Sequence, residues 1–212
     1  MKKANDEGMF FTLEDASAVI QNLKSECIRK SIHFLIAFIP LLLAATSRSF
    51  VILVLIFGII LYIYLENLRL SGVEIPFFSN IVRKASRPRD NNRFVLGPVT
   101  LGLGALFALV FLPKTAADIA ILALAFGDGL ASLIGRVFGR VRPAFLLGKS
   151  LEGSISCFFG VLIVAWYVCG NVKASFASAI AATVFEALPL EDYDNIVIPL
   201  AAGFAAKFCL GL

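Results

Sequence analysis

About seven stretches of this chain are apolar for nearly as long as a helix must be to cross a bilayer, and no other feature limits its folding as strongly. Roughly 20 apolar residues in helical form cover a ~30 Å hydrocarbon core. The runs lie at about 32–47, 49–66, 95–112, 116–135, 153–170, 174–189 and 196–212, the first being short and carrying Pro40. With 59% hydrophobic residues, 16% charged residues and a mean hydropathy of +0.88 over 212 residues, the chain falls outside the range of a water-soluble domain. The expected architecture is all-α, a polytopic membrane bundle of about seven transmembrane helices. Residues 1–30 form an N-terminal cytoplasmic or interfacial segment and residues 31–212 the transmembrane domain.

Positive charge gives the orientation, because short cytoplasmic loops retain Lys and Arg. Seven crossings from a cytoplasmic N-terminus leave only Arg48, Lys114, Lys173 and Lys207 of the 19 basic residues on the outer side. Acidic residues divide the same way, with Asp118 alone outside. Orientation does not require that second division, so the inner face carries a polar structure of its own. The outer loops near Lys114 and Lys173 are too short to hold a site.

Several classes are excluded. A formal net charge of +4 comes with no nucleic-acid-binding module. Cys27, Cys157, Cys169 and Cys209 show neither CxxC spacing nor a histidine cluster, which argues against a thiolate metal centre and a disulfide framework. Met1 to Lys30 is too polar and acidic for a cleavable signal peptide and is read as retained. Within it Phe10, Phe11, Leu13, Val19, Ile20 and Leu23 suit one side of an interfacial helix, with a disordered start as the alternative. The longest polar interruption, Asn67 to Arg93, reads as a basic loop of about 27 residues with Pro76 and Pro88. It suits anionic headgroups or an anionic substrate. Arg93, directly before the third run, is placed to point along the membrane surface.

The densest group of polar signals runs from Gly127 to Gly153. Taken as helix, residues 126–139 put Asp128, Ala131, Ser132, Gly135 and Gly139 on one face at spacings of three and four. Small residues there admit a second backbone or a ligand. Asp128 points to function, since a carboxylate at membrane depth is expensive to keep. Arg136, Arg140 and Arg142 come next, then Pro143 and the segment Gly148-Lys149-Ser150-Leu151-Glu152-Gly153-Ser154 entering the next run. Exposed amides and the positive end of the dipole at such a helix start favour phosphate, and Lys149 adds a mobile cation. Ser150 is equally suited to capping that helix, with Glu152 in its first turn. A P-loop reading fails, because Pro143 stands five residues before Gly148 where that motif has glycine, and no strand precedes it.

Two further clusters lie on the same side. Glu186, ahead of Pro189, and Asp194 join Asp128 as oxygen ligands suited to Mg²⁺, which binds through one or two carboxylates plus substrate phosphates. Asp194 is also placed to cap the last helix, and Glu66 is another candidate ligand. Arg29, Lys30 and His33 lie within one helical turn at the membrane edge, a spacing that suits a phosphate contact.

These segments together, Arg29-Lys30-x-x-His33, Gly127-Asp128-x-x-Ala131-Ser132-x-x-Gly135, Lys149-Ser150-x-Glu152-Gly153-Ser154 and Glu186-Ala-Leu-Pro189 with Asp194-Asn195, resemble the CTP-dependent lipid kinases. That family includes dolichol kinase, phytol kinase and the fungal type of diacylglycerol kinase. The resemblance implies that residues 31–212 are a catalytic domain moving the terminal phosphate of CTP to a membrane lipid alcohol, with Mg²⁺ or another divalent cation, at the cytoplasmic face. The positions it carries over are Arg29, Lys30, Asp128, Gly135, Lys149 and Glu152; joined to the residue reading, they give an expected site with Asp128, Lys149 and Glu152 catalytic, Arg29, Lys30, His33, Arg93, Gly135, Arg136 and Ser150 on the phosphates or nucleotide, and Asp128, Glu186 and Asp194 on the metal. The general base stays open among Asp128, Glu152 and Glu186. Phosphatidate cytidylyltransferases share part of the central block, but their downstream signature needs a histidine and arginines that this chain lacks after Arg142. A transporter or scaffold is the third reading; polar groups gathered on one face only speak against transport.

Overall fold

The computed structural model describes residues 13–86, 90, 93–146 and 148–212, and every regular element among them is helical. Helix α1 (Leu13–Leu35) passes through a 3-10 turn at Ile36–Phe38 into α2 (Ile39–Ala45). Pro40 sits in the first turn of α2, where a missing N–H removes no helical bond. Ser47 caps α3 (Arg48–Leu70) by accepting from Phe50 N at 3.2 Å. Helix α4 (Pro76–Ala85) also starts on a proline. Then come α5 (Gly97–Phe111), α6 (Lys114–Leu122), a π-helical segment (Ala123–Asp128) and α7 (Gly129–Val137). The chain closes with α8 (Leu151–Cys169), α9 (Val172–Glu186) and α10 (Asp194–Leu210).

The expectation of a loop from 67 to 93 is corrected in two places. Helix α3 runs on to Leu70, and Pro76–Ala85 is a helix because Phe78, Val82 and Ala85 fall on one side of it while Asn80, Arg83 and Lys84 stay outside the core. Lys2, Lys3, Phe10, Phe11, Arg87, Pro88 and Arg89 lie outside the described residues, as do the side chains of Leu13, Val19, Ile20 and Leu23. The division expected at residue 30 falls inside α1, which runs unbroken through Lys30 and Ser31.

The chain is an integral membrane protein. Four helical stretches are long and apolar enough to span a bilayer: Lys24–Ala45, Arg48–Leu70, Lys114–Val137 and Leu151–Cys169. Helices α5, α9 and α10 are shorter, at 15, 15 and 17 residues. The leg made of α6, the π segment and α7 is the most deeply buried, with Ala116, Ala117, Ile119, Ala120 and Ile121 fully enclosed. Helix α9 packs between α8 and α10, and α10 lies against α5 and α6. Helix α3 packs on α5 and turns Leu53, Phe57 and Ile60 outward. At the end away from Asp128, the Arg48 guanidinium donates to the carbonyls of Leu109 and Leu112, which the end of α5 would otherwise leave unpaired. At the other end, buried Glu66 takes a two-pronged bond from Arg69 at 2.7 and 2.8 Å and accepts from Val95 N at 2.9 Å. That clamp ties α3 to the start of α5 through Glu66, the residue also expected as a candidate ligand.

Candidate active site

Asp128 closes the π segment, and its neighbours explain the Gly-Asp-Gly sequence. A side chain at residue 127 would meet Val161 Cγ2 at 2.8 Å, and one at residue 129 would meet the Phe34 ring at 3.0 Å. Helices α8 and α1 therefore press against the two glycines and leave the carboxylate enclosed between them. A π turn bonds i to i+5, which rotates α7 relative to the continuation of a plain α-helix. The carboxylate is received by α1: Lys30 Nζ donates to Asp128 Oδ2, and His33 Nε2 stands 2.9 Å from the same oxygen. Ser132 Oγ donates to Oδ1 at 3.4 Å. Lys30, His33 and Asp128 are all buried. Burying a polar group is costly unless it has a partner, and Lys30 and Asp128 supply each other with one.

Glu26 is the residue that sequence reasoning missed. It lies one turn before Lys30 on the same face of α1, is 3% exposed, and binds Arg29 on one oxygen and Arg136 of α7 on the other at 3.0 Å. Its spacing to Lys30 and His33, i, i+4 and i+7, is the signal that would have found it. Arg29 Nε is buried with no hydrogen-bond partner among the described residues.

The second half of the site comes from the α7–α8 connection and α9. Ser150 caps α8 by accepting from Gly153 N at 3.1 Å. A side chain at Gly135 would meet Ser150 Oγ at 2.8 Å, so the small residues of α7 admit the start of α8. Lys149 reaches across to α9, donating to the Glu186 carbonyl and lying 3.1 Å from its carboxylate Oε1, while Ser154 Oγ donates to Oε2 at 3.1 Å. Arg142 folds back to the carbonyls of Gly148 at 2.6 Å and Gly135 at 3.1 Å. Glu152 accepts from the backbone amides of Arg140 and Val141 at 3.0 and 3.2 Å. Helix α7 ends at Val137, so Gly139 lies in this strap, yet it stays on the side of Gly135, where a side chain would meet the Gly135 carbonyl and, at 2.6 Å, Ser150 Oγ.

Two cavities meet here. One, of about 490 Å³, is polar and is lined by Arg29, Asp128, Ser132, Gly135, Arg136, Lys149, Ser150, Glu186 and Asp194 among others. The second, of about 220 Å³, has Ile32, Tyr62, Phe78, Val82, Pro98 and Leu101 on its walls and Lys30, His33 and Asp128 at one end. Arg29, Asp128 and Asp194 line both. Of the expected residues, Glu66, Glu152 and Arg93 are not on either wall. Glu152 is occupied by the strap amides; Arg93 is exposed, and its carbonyl accepts from Arg69 at 3.0 Å. Among the described residues no three His, Cys, Asp or Glu side chains converge as a ready-made metal cage.

No family model and no solved structure matches the chain. The CTP-dependent diacylglycerol kinase 1 of Saccharomyces cerevisiae is 31% identical over 160 residues, 73% of this chain and 54% of that protein. The probable chloroplastic phytol kinase of Triticum aestivum is 30% identical over 227 residues, which covers 95% of this chain and 72% of that one. The chain belongs to the CTP-dependent lipid kinase family. Chloroplastic phytol kinase 1 of Arabidopsis thaliana is 30% identical over 165 residues, 68% of this chain and 54% of its own length. This family member thus spans about half the length of the Arabidopsis and yeast relatives it matches.

Proposed function

We propose that the chain is a membrane lipid kinase that transfers the terminal phosphate of CTP to a lipid alcohol at the cytoplasmic face. The observation that carries this reading is the wall shared by the two cavities. A polar space with room for a nucleotide and a smaller, largely apolar space touch at Arg29, Asp128 and Asp194. A soluble triphosphate and a membrane alcohol need such a meeting point.

Phosphoryl transfer asks the protein mainly for positioning and charge neutralisation. Arg29, Arg136 and Lys149 supply cationic groups on the polar wall, and the unpartnered Arg29 Nε is a donor for a phosphate oxygen. The acceptor oxygen forms its bond to the γ-phosphorus, the bond from that phosphorus to the β–γ bridging oxygen breaks, and CDP leaves. Asp128 accepts the hydroxyl's hydrogen bond and takes its proton; Lys30 and His33 fix the carboxylate in place. Lys149 and Ser154 hold Glu186 at the far side of the polar cavity. A divalent cation, which supplies charge neutralisation on the phosphates when bound, would be held by Asp128 with Glu186 or Asp194. Mg²⁺ takes one or two carboxylates and completes its shell with phosphate and water, a donor set that the carboxylates lining the polar cavity would supply.

The test is transfer from γ-labelled CTP, with Mg²⁺, to phytol, a polyprenol or diacylglycerol by the purified chain. Label should appear in lipid phosphate, and Asp128→Asn should lower kcat about 100-fold, the scale of losing a group that stabilises the transition state. Pyrophosphate released in the presence of phosphatidate would instead identify a cytidylyltransferase. Undiminished activity of Asp128→Asn would remove Asp128 from the mechanism.

A further inference from the structure

We infer that α4 and the apolar cavity beneath it form the acceptor subsite, and that this subsite takes a single-chain hydrocarbon alcohol in preference to diacylglycerol. The inference rests on the kinase reading for what happens at Asp128, but the walls of the cavity carry it independently.

Helix α4 bridges two others over the cavity. It packs on α1, where Ser25 Oγ donates to the Ser86 carbonyl at 3.2 Å, and the Phe78 ring meets the Tyr62 ring of α3 at 5.6 Å, edge on. Val82 points inward and is buried, while Phe77 is 80% exposed although it lines the same space. Phe77 therefore stands at a rim, and the cavity leads from that rim to Lys30, His33 and Asp128. Ile32 of α1 and Pro98 and Leu101 of α5 complete a hydrocarbon wall. An alcohol lying in this space has its carbon chain against these side chains and its oxygen at the carboxylate.

The polar groups on the walls decide which alcohol. A hydroxyl donates, and the carboxylates of Asp128, Asp192 and Asp194 are acceptors on the lining. An ester carbonyl only accepts, so the two esters of diacylglycerol need donors close to the hydroxyl. The side-chain donors along the wall already face partners: Tyr62 O–H the Val95 carbonyl at 3.0 Å, the Asn195 amide Thr100 Oγ1 at 2.9 Å and the Gly97 carbonyl at 3.4 Å, Lys30 the Asp128 carboxylate, and His33 Nε2 the same carboxylate oxygen at 2.9 Å. Arg29 Nε is on the wall common to both cavities, where the phosphate requires it. Burying ester oxygens without partners is unfavourable, whereas a plain isoprenoid or alkyl chain makes no such demand.

Two measurements test this on the full chain in nanodiscs. In the first, a diazirine-bearing isoprenoid alcohol is photo-crosslinked and mapped by peptide. Label is expected on Phe77–Val82, Ile32 and Pro98–Leu101, displaced by phytol and about tenfold less effectively by dioleoylglycerol. Label confined to the outer faces of α3 or α8, or equal displacement by dioleoylglycerol, overturns the inference. In the second, Val82→Trp fills the cavity and is expected to raise KM for phytol about tenfold, with KM for CTP unchanged. Equal shifts in both constants, or none, would count against the subsite. Crosslinking as expected with no phosphate transferred to any alcohol would uphold the cavity as a lipid site and sink the kinase reading. Transfer with the label elsewhere would do the reverse.

Discussion

At the scale of single residues, the proposed chemistry depends on how a carboxylate survives where water is scarce. Asp128 is enclosed by two glycine-facing helices and answered by Lys30 from 98 positions earlier in the chain. Removing one partner of a buried pair strands the other charge, at a cost of about 3–5 kcal/mol. Lys30→Met should therefore lower the thermal midpoint in detergent and abolish transfer from γ-labelled CTP. The double variant Lys30→Met, Asp128→Asn should recover most of that midpoint while staying inactive, because neutral groups no longer need each other. A double variant no more stable than Lys30→Met would show that the pair is not what keeps these side chains buried. Glu26 belongs to the same logic. It joins Arg29 to Arg136 and so binds α1 to α7.

At the scale of elements, the strap between α7 and α8 shows what could be read from the sequence. The face of Asp128, Ala131, Ser132 and Gly135 is legible from spacing alone, since all four line the polar cavity, and Ser150 caps α8 as its position before an apolar run implies. The π turn at 123–128 was not legible, because helical periodicity assumes one residue angle throughout and a π insertion leaves no compositional mark. Helix α4 was hidden by its charges and by Pro76, which at a first turn starts a helix as readily as it breaks one. Glu152 carries a catalytic expectation from the sequence, and the structure adds a contact that spacing does not show: its carboxylate accepts from the Arg140 and Val141 amides. A carboxylate acting through a loop makes a specific prediction. Glu152→Ala should loosen the strap that carries Lys149 and Ser150, raising KM for CTP about tenfold with a smaller change in kcat. Steady-state kinetics at varied CTP decide it; a fall in kcat at constant KM would return Glu152 to the reacting groups.

At the scale of the whole molecule, the legs between the Asp128 end and the Arg48 end are unequal. Helices of the α3 or α6–α7 length reach across a ~30 Å core, but the 15 residues of α9 extend only about 22 Å at 1.5 Å per residue. A short leg is compatible with crossing if the bilayer thins locally or the helix ends lie in the headgroup layer. Contacts favour crossing: α9 starts beside the far end of α8, where Asn171 caps it, and finishes with Glu186 at Lys149. Its ends therefore match opposite ends of α8, a helix of spanning length. Single cysteines placed at Leu70, Lys173 and Tyr193, all exposed, in a chain with its own four cysteines replaced, test this with an impermeant maleimide on sealed vesicles of either orientation. Positions 70 and 193 should label from the cytoplasmic side, together with the active site, and position 173 only from the other. Labelling of 173 and 193 from the same side would show that α9 does not cross, and it would leave Glu186 to reach the site from within the membrane surface.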